Sequence, residues 1–349
     1  MNSGRLFRSR IFSIGIVLLL LWVCVLPVKA RPQPTQLHRA FPIFIFHDDE
    51  FWLNLHHFLY VLGRAENKTR DSARAAVSGA PADEQRGFAV LSAKEQGVWK
   101  EAVTQYATGL SKKDLVFDDS MPAITAALAR AREGKLRDSD GIDPSVASVL
   151  MRVAPLYRKA WWPTHHAANK AWRSGIEALV KQYGTTVLSF ITHAYEMEWT
   201  PTGFHVHLTA YANWAGAYST HSASGDLLVV SSMNEGTKGP DGLETVFHEG
   251  MHQWDDLVAA ALQAQAQHLN QPVPRNLSHA LIFFTAGDAV HRVLPEHVPY
   301  ADKFGVWQRG MLKEREVVNE IWKPYLDGHG TRDEAFAELI KRLNAVTAH

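Results

Sequence analysis

The sequence predicts an α+β fold, mostly helical, with a small antiparallel sheet placed just ahead of one histidine-bearing helix. Three observations carry that expectation. Apolar residues recur at helical spacing over most of the chain, the pattern turns strand-like between residues 203 and 232, and helical spacing resumes at once in LETVFHEGMHQWDD, residues 243 to 256. With 349 residues, 46% hydrophobic and 21% charged, 11 Trp and 16 Phe, the chain has the composition of a globular protein that buries a core.

The first thirty residues differ in kind. Arg5, Arg8 and Arg10 precede the apolar run IFSIGIVLLLLWVCVLP, and Val28-Lys29-Ala30 offers small residues at the −3 and −1 positions of a cleavage site. This predicts a secretory signal peptide over 1–30, cut after Ala30, and an exported, periplasmic or secreted, mature chain. The competing reading is an uncleaved anchor, the only expected link to a membrane. Cys24 is the sole cysteine and lies inside that segment, which leaves no disulfide and no thiolate chemistry. Cleavage would also leave 32 basic against 36 acidic residues, a net charge of −4 that argues against a nucleic-acid partner.

Residues 31–43 are Pro-rich and polar, as expected of an extended tether, and the fold begins near Phe44. Residues 48–64 place Phe51, Leu55, Phe58, Leu59 and Leu62 at helical spacing behind an Asp cap, with Gly63 marking the helix end. Ser92-Ala-Lys-Glu95 is a capping box that opens a second helix, and AITAALARARE after Pro122 is a third. Asp143-Pro144 opens another, and a further one follows Pro163, so 44–200 reads as a helical region forming one wall of a cleft. Within 203–232, FHVHLTAYANW, AGAYSTH and DLLVVSS predict two or three strands joined by hairpin turns. Asp241, with Glu244 three positions on, is expected to cap a helix over 242–262, and helices fill the remainder of the 201–349 region.

On that helix His248 and His252 stand at i and i+4, about 40° apart around the axis, so both imidazoles share a face and can grip one ion. Glu249 is the carboxylate beside the ion's open position. The chemistry suits zinc, which lowers the pKa of water toward neutrality while a neighbouring carboxylate takes the proton. Strand hairpins followed by an HExxH helix in an exported chain resemble the zincin class of zinc metallopeptidases, over about residues 203–300. The resemblance implies His248 and His252 as ligands and Glu249 as general base and proton shuttle. The chain lacks the Gly-x-x-His extension of metzincins and the Asn-Glu-x-x-Ser-Asp helix of thermolysin-like enzymes.

The third ligand is therefore sought among His279, Asp288, His291, Glu296 and His297. NLSHALIFFTAGDAVHRV reads as a helix opened by Asn276 or Ser278, on which His279 and Asp288 lie about 180° apart and cannot serve one ion together. His279 is the choice, followed by Asp288 and then Glu296. Its competing reading is a helix-start histidine bonded to backbone. Tyr300 is a candidate hydrogen-bond donor to a developing oxyanion, against a plain packed tyrosine. Asp255 and Asp256, one turn past His252, are placed to orient a ligating imidazole or to line a solvated face. His205 and His207, on one side of a strand, and the adjacent pairs His56-His57 and His165-His166 read as structural or substrate-lining.

Two functions follow as expectations. The first is an exported hydrolase with one zinc per chain, most simply a metallopeptidase acting on a peptide or protein. The second is a non-catalytic exported zinc-binding or interaction protein whose site is closed or degenerate.

Overall fold

In the computed structural model a four-stranded sheet, in the order β1-β2-β4-β3, separates two apolar cores. The structure describes residues 42–70, 82–134, 136–137, 141–213, 216–220 and 226–347; the expected signal segment and the tether up to residue 41 lie outside them. No helix among the described residues is long and apolar enough to cross a membrane.

The architecture is α+β and mostly helical, but the sheet is mixed rather than antiparallel. Strand β1 (Phe44–His47) runs parallel to β2 (Phe204–Thr209), and β2 runs parallel to β4 (Leu227–Ser231). Only β3 (Ala217–Thr220), at the far edge, runs antiparallel, paired to β4 in a single hairpin. Local patterning could not show this, because the partner of β1 lies about 160 residues downstream and β4 inserts between β2 and its sequence neighbour β3.

Strand alternation sends successive side chains to opposite faces. Phe44, Phe46, Phe204, Val206, Leu208, Ala217, Leu228 and Val230 join one core, while Tyr218 and Val229 join the other. The Tyr218 side of the sheet is covered by α1 (Phe51–Arg70), with α3 (Ala93–Thr108), α4 (Ser120–Arg130) and α5 (Pro144–Ala160) completing that core around α1. Phe51, Leu55, Phe58, Leu59 and Leu62 are all buried there, as their spacing predicts. The Ser92–Glu95 capping box and the Asp143 cap both form. Gly63, however, does not end α1: a Cβ there would lie 2.8 Å from the Ala107 backbone nitrogen, so the glycine admits a close helix crossing while α1 runs on.

The second core belongs to the later part of α6 (Trp162–Tyr195) and to α7 (Gly239–Met251), α8 (Asp255–Leu269), α9 (Leu277–Val293), α11 (Leu312–Leu326) and α12 (Arg332–Thr347). The short helices α2 (Ala82–Phe88) and α10 (Tyr300–Lys303) complete the series. The single helix expected over 242–262 is two helices joined by a 3-10 turn at 252–254. The tighter turn has a visible cause: the Gln253 side chain donates to the Gly250 carbonyl and accepts from the Thr200 amide, and Trp254 is drawn under, its indole donating to the Glu198 carbonyl. Asp241 is no cap either; α7 begins at Gly239, and the buried Asp241 carboxylate takes the Lys303 ammonium at 2.6 Å.

Candidate metal centre

Helix α7 is buried on almost every side, which explains its run of apolar residues and fixes the direction of its one polar stretch. Leu243, Val246, Phe247 and Met251 are inaccessible, and Phe247 meets Phe44 edge-on with ring centroids 5.0 Å apart. Gly250 lies against Trp199, where a Cβ would come within 2.4 Å of the indole. With these faces occupied, His248 at the end of α7 and His252 at the following turn face α9. His279, in the first turn of α9, meets them.

The three imidazoles converge: ring centroids are 5.2 Å apart for His248 and His252, 5.4 Å for His248 and His279, and 5.3 Å for His252 and His279. Three imidazoles sharing one tetrahedral ion at the usual zinc–nitrogen distance would have centroids about 5.2 Å apart. The near-equilateral triangle fits that spacing. Among the described residues these three are the one group of His, Cys, Asp or Glu that could hold a metal ion, and their ligand atoms all lie within 4.8 Å of one another.

The protonation chemistry agrees. Burial, then the neighbouring His252 and His279, hold His248 well below the usual histidine range, and its Nδ1 is buried with no hydrogen-bond partner. His279 reaches the protein surface at its outer edge, yet the enclosing walls and His252 bring its pKa down to about 4. Phe283 supplies one wall, 4.2 Å from the His248 ring and 4.6 Å from that of His279. For His252 burial pulls downward, but the Asp255 and Glu249 carboxylates together outweigh it and hold the group above its ordinary value. His252 Nδ1–H donates to Asp255 at 2.9 Å, which leaves the lone pair of Nε2 for an ion. Of the two acids weighed for that role, Asp255 makes this bond; Asp256 is exposed.

Glu249 is held above the usual carboxylate range by burial, opposed by the neighbouring His252 and by hydrogen bonds from the Ser219 hydroxyl and backbone N–H. Sequence reasoning missed Ser219. The signal was there in the alternation of AGAYSTH, which puts Ser219 and Tyr218 on opposite faces, but not the knowledge of which face met α7.

The other ligand candidates are elsewhere engaged. Asp288 is 10% exposed and paired with Arg292 at 2.7 Å, Glu296 is exposed, and His291 Nδ1–H donates to the His297 carbonyl at 2.8 Å. His297 is buried against Glu244, its Nε2 2.5 Å from that carboxylate, which also accepts from the Tyr300 backbone N–H at 2.9 Å. Glu244, expected to complete a cap, instead joins α7 to the segment bearing Tyr300. The Tyr300 ring packs on Phe304, and burial raises its hydroxyl pKa, with the charges of Asp241, Glu244 and Glu249 contributing.

His205 and His207 lie on the face of β2 turned away from α7. His207 Nδ1 meets the Glu50 carboxyl group at 2.8 Å, and His47 Nε2 bonds His205 Nδ1 at 2.9 Å. His56, His57 and His165 are buried and bonded to Tyr106, Tyr218 and Tyr157 respectively, and the His166 ring stacks on Trp162. Comparison with protein-family models, with curated proteins and with solved structures gives no match to this chain.

Proposed function

We propose that the chain is an exported zinc-dependent hydrolase, most simply a zincin-like metallopeptidase. The observation that carries this reading is a group of three imidazoles, joined among the described residues by no fourth His, Cys, Asp or Glu, beside a carboxylate on the same helix. Three protein ligands leave a position open for water, whereas a fourth would make the centre structural. Zinc bound there supplies a Lewis acid that polarises a carbonyl oxygen and lowers the pKa of water toward neutrality.

The chain's own residues do the rest. His248, His252 and His279 would hold the ion, and Asp255 fixes the tautomer and tilt of His252. Glu249 takes the proton from the attacking water and returns it to the leaving group. β3, an edge strand of the sheet among the described residues, offers backbone donors and acceptors to an extended peptide. Tyr300, on the segment fastened to α7 by Glu244, donates to the developing oxyanion.

The test separates base from ligands. Glu249→Gln keeps shape and volume, so zinc stays at about one per chain while turnover of peptide, amide or ester substrates falls roughly 100-fold or more. Wild-type turnover that survives this change would remove the mechanism. A chain that holds zinc but turns over no substrate would be the non-catalytic zinc-binding protein instead.

A further inference from the structure

The register of β3 decides which of its backbone groups are free. Ser231 N–H donates to the Gly216 carbonyl at 2.7 Å, and Ala217 pairs opposite Val230, Tyr218 opposite Val229 and Ser219 opposite Leu228. Antiparallel ladders alternate bonded and non-bonded pairs. Gly216, Tyr218 and Thr220 therefore bond inward to β4, while Ala217 and Ser219 turn N–H and C=O away from it, to the outer edge of the strand. The side chains alternate too: Tyr218 joins the α1 core, and Ser219 shares the α7 face with Ala217 and Leu228.

Behind the strand Tyr218 is anchored by a bond whose direction is fixed. His57 Nδ1 lies 3.0 Å from the Leu53 carbonyl, which can only accept, so Nδ1 carries the proton and Nε2 is an acceptor. The Tyr218 hydroxyl, 2.7 Å from Nε2, must donate. Both side chains are buried, and Thr125 stands 3.5 Å from the tyrosine oxygen. Helix α1 thus holds β3 from one side of the sheet, and β3 holds Glu249 from the other.

We propose that Ser219 is the positioning residue of Glu249: its outward N–H and its hydroxyl aim the carboxylate at the metal centre, and the His57–Tyr218 bond sets where Ser219 stands. The aiming role rests on the hydrolase reading above; the contact itself does not. It also gives the helical first half of the chain a part in the site, since α1 supplies His57.

Two measurements on the zinc-loaded chain test this. The first is amide hydrogen exchange along β3. With Glu249 capping it, Ser219 N–H exchanges slowly; in Glu249→Ala it exchanges at least about 10-fold faster, while Tyr218 N–H, bonded to β4, changes little. Equal exchange at Ser219 in both proteins overturns the proposal, whatever the protein catalyses. The second is a double-mutant cycle read by acetohydroxamate affinity and by kcat and KM on a cleaved peptide. Ser219→Ala keeps zinc, weakens acetohydroxamate about 5-fold and lowers kcat about 10-fold with KM unchanged, and Ser219→Thr restores both. In a Glu249→Gln background Ser219→Ala adds nothing. A Ser219→Ala loss of the same size in both backgrounds marks a merely structural serine and overturns the aiming role. Slow Ser219 exchange in a wild-type chain that neither binds acetohydroxamate nor cleaves peptides would leave the contact standing, overturn the aiming role and defeat the hydrolase reading.

Discussion

At the scale of single residues, neighbours decide what each titratable group can do. Asp288 and His279 sit on one helix, and both are chemically competent to hold zinc. The ion pairs of Asp288 with Arg292 and Lys323 occupy its carboxylate, while the His279 ring meets two other imidazoles. Asp288→Ala should therefore leave metal affinity within about twofold and cost on the order of 1 kcal/mol of stability, measured by metal titration and by denaturant unfolding. Loss of the ion from Asp288→Ala would transfer the ligand role to the carboxylate. His279 stood out in the sequence as an imidazole among the apolar residues of its helix, but a backbone bond at the helix start explained it equally well, and only the fold shows it meeting His248 and His252. The Asp255 contact was legible from its three-residue offset from His252.

Elements were legible where their determinants are local. The Ser92 capping box and the Asp143-Pro144 start are read from neighbours in sequence, and both form. The parallel pairing of β1, the insertion of β4 and the passage of α1 through Gly63 depend on chain far away, and no local period encodes them. Glu244 is the instructive failure. Its spacing from Asp241 mimics a capping box, but tertiary contacts with His297 and the Tyr300 amide take the carboxylate instead. That contact sits in a crowded seam, where a Cβ at Gly287 would lie 2.6 Å from Pro299 and 3.2 Å from the Glu244 carboxylate. Gly287→Ala should push the Pro299–Tyr300 turn off α7, costing about 1–3 kcal/mol by overpacking and lowering turnover, with metal content unchanged. Unaltered stability and turnover would show that the seam yields freely.

At the scale of the molecule, buried histidines make the fold acid-labile independently of any metal. Burial brings His57 down to about 4, and holds His56 well below its ordinary value with His57 adding to the effect. Unfolded histidines titrate near 6.5, so below that pH the unfolded chain binds more protons, and stability falls as pH drops from about 6.5 toward 4. Glu50, pushed up to about 8 by burial, works the other way: its folded form keeps a proton the unfolded chain has released, so its contribution fades as pH rises from about 4.5 to 8. It faces His207, itself lowered to about 4 by burial, so within about 4.5–6.5 those two changes largely cancel and His56 and His57 dominate. Denaturant unfolding with excess chelator should show a loss on the order of 4 kcal/mol between pH 7 and 5, about 2 from each of His56 and His57. A flat profile would contradict the neutral, buried state of these rings.

The whole account turns on three imidazoles from two helices acting as one ligand set. Its most direct test is titration of the metal-free chain with zinc, followed by calorimetry, for the wild type and for His248→Ala, His252→Ala and His279→Ala. The account predicts one zinc per wild-type chain and a loss of affinity of at least about 100-fold in each variant, His279→Ala included. Wild-type protein that binds no zinc at neutral pH, or a His279→Ala variant that binds it as tightly as the wild type, would contradict it.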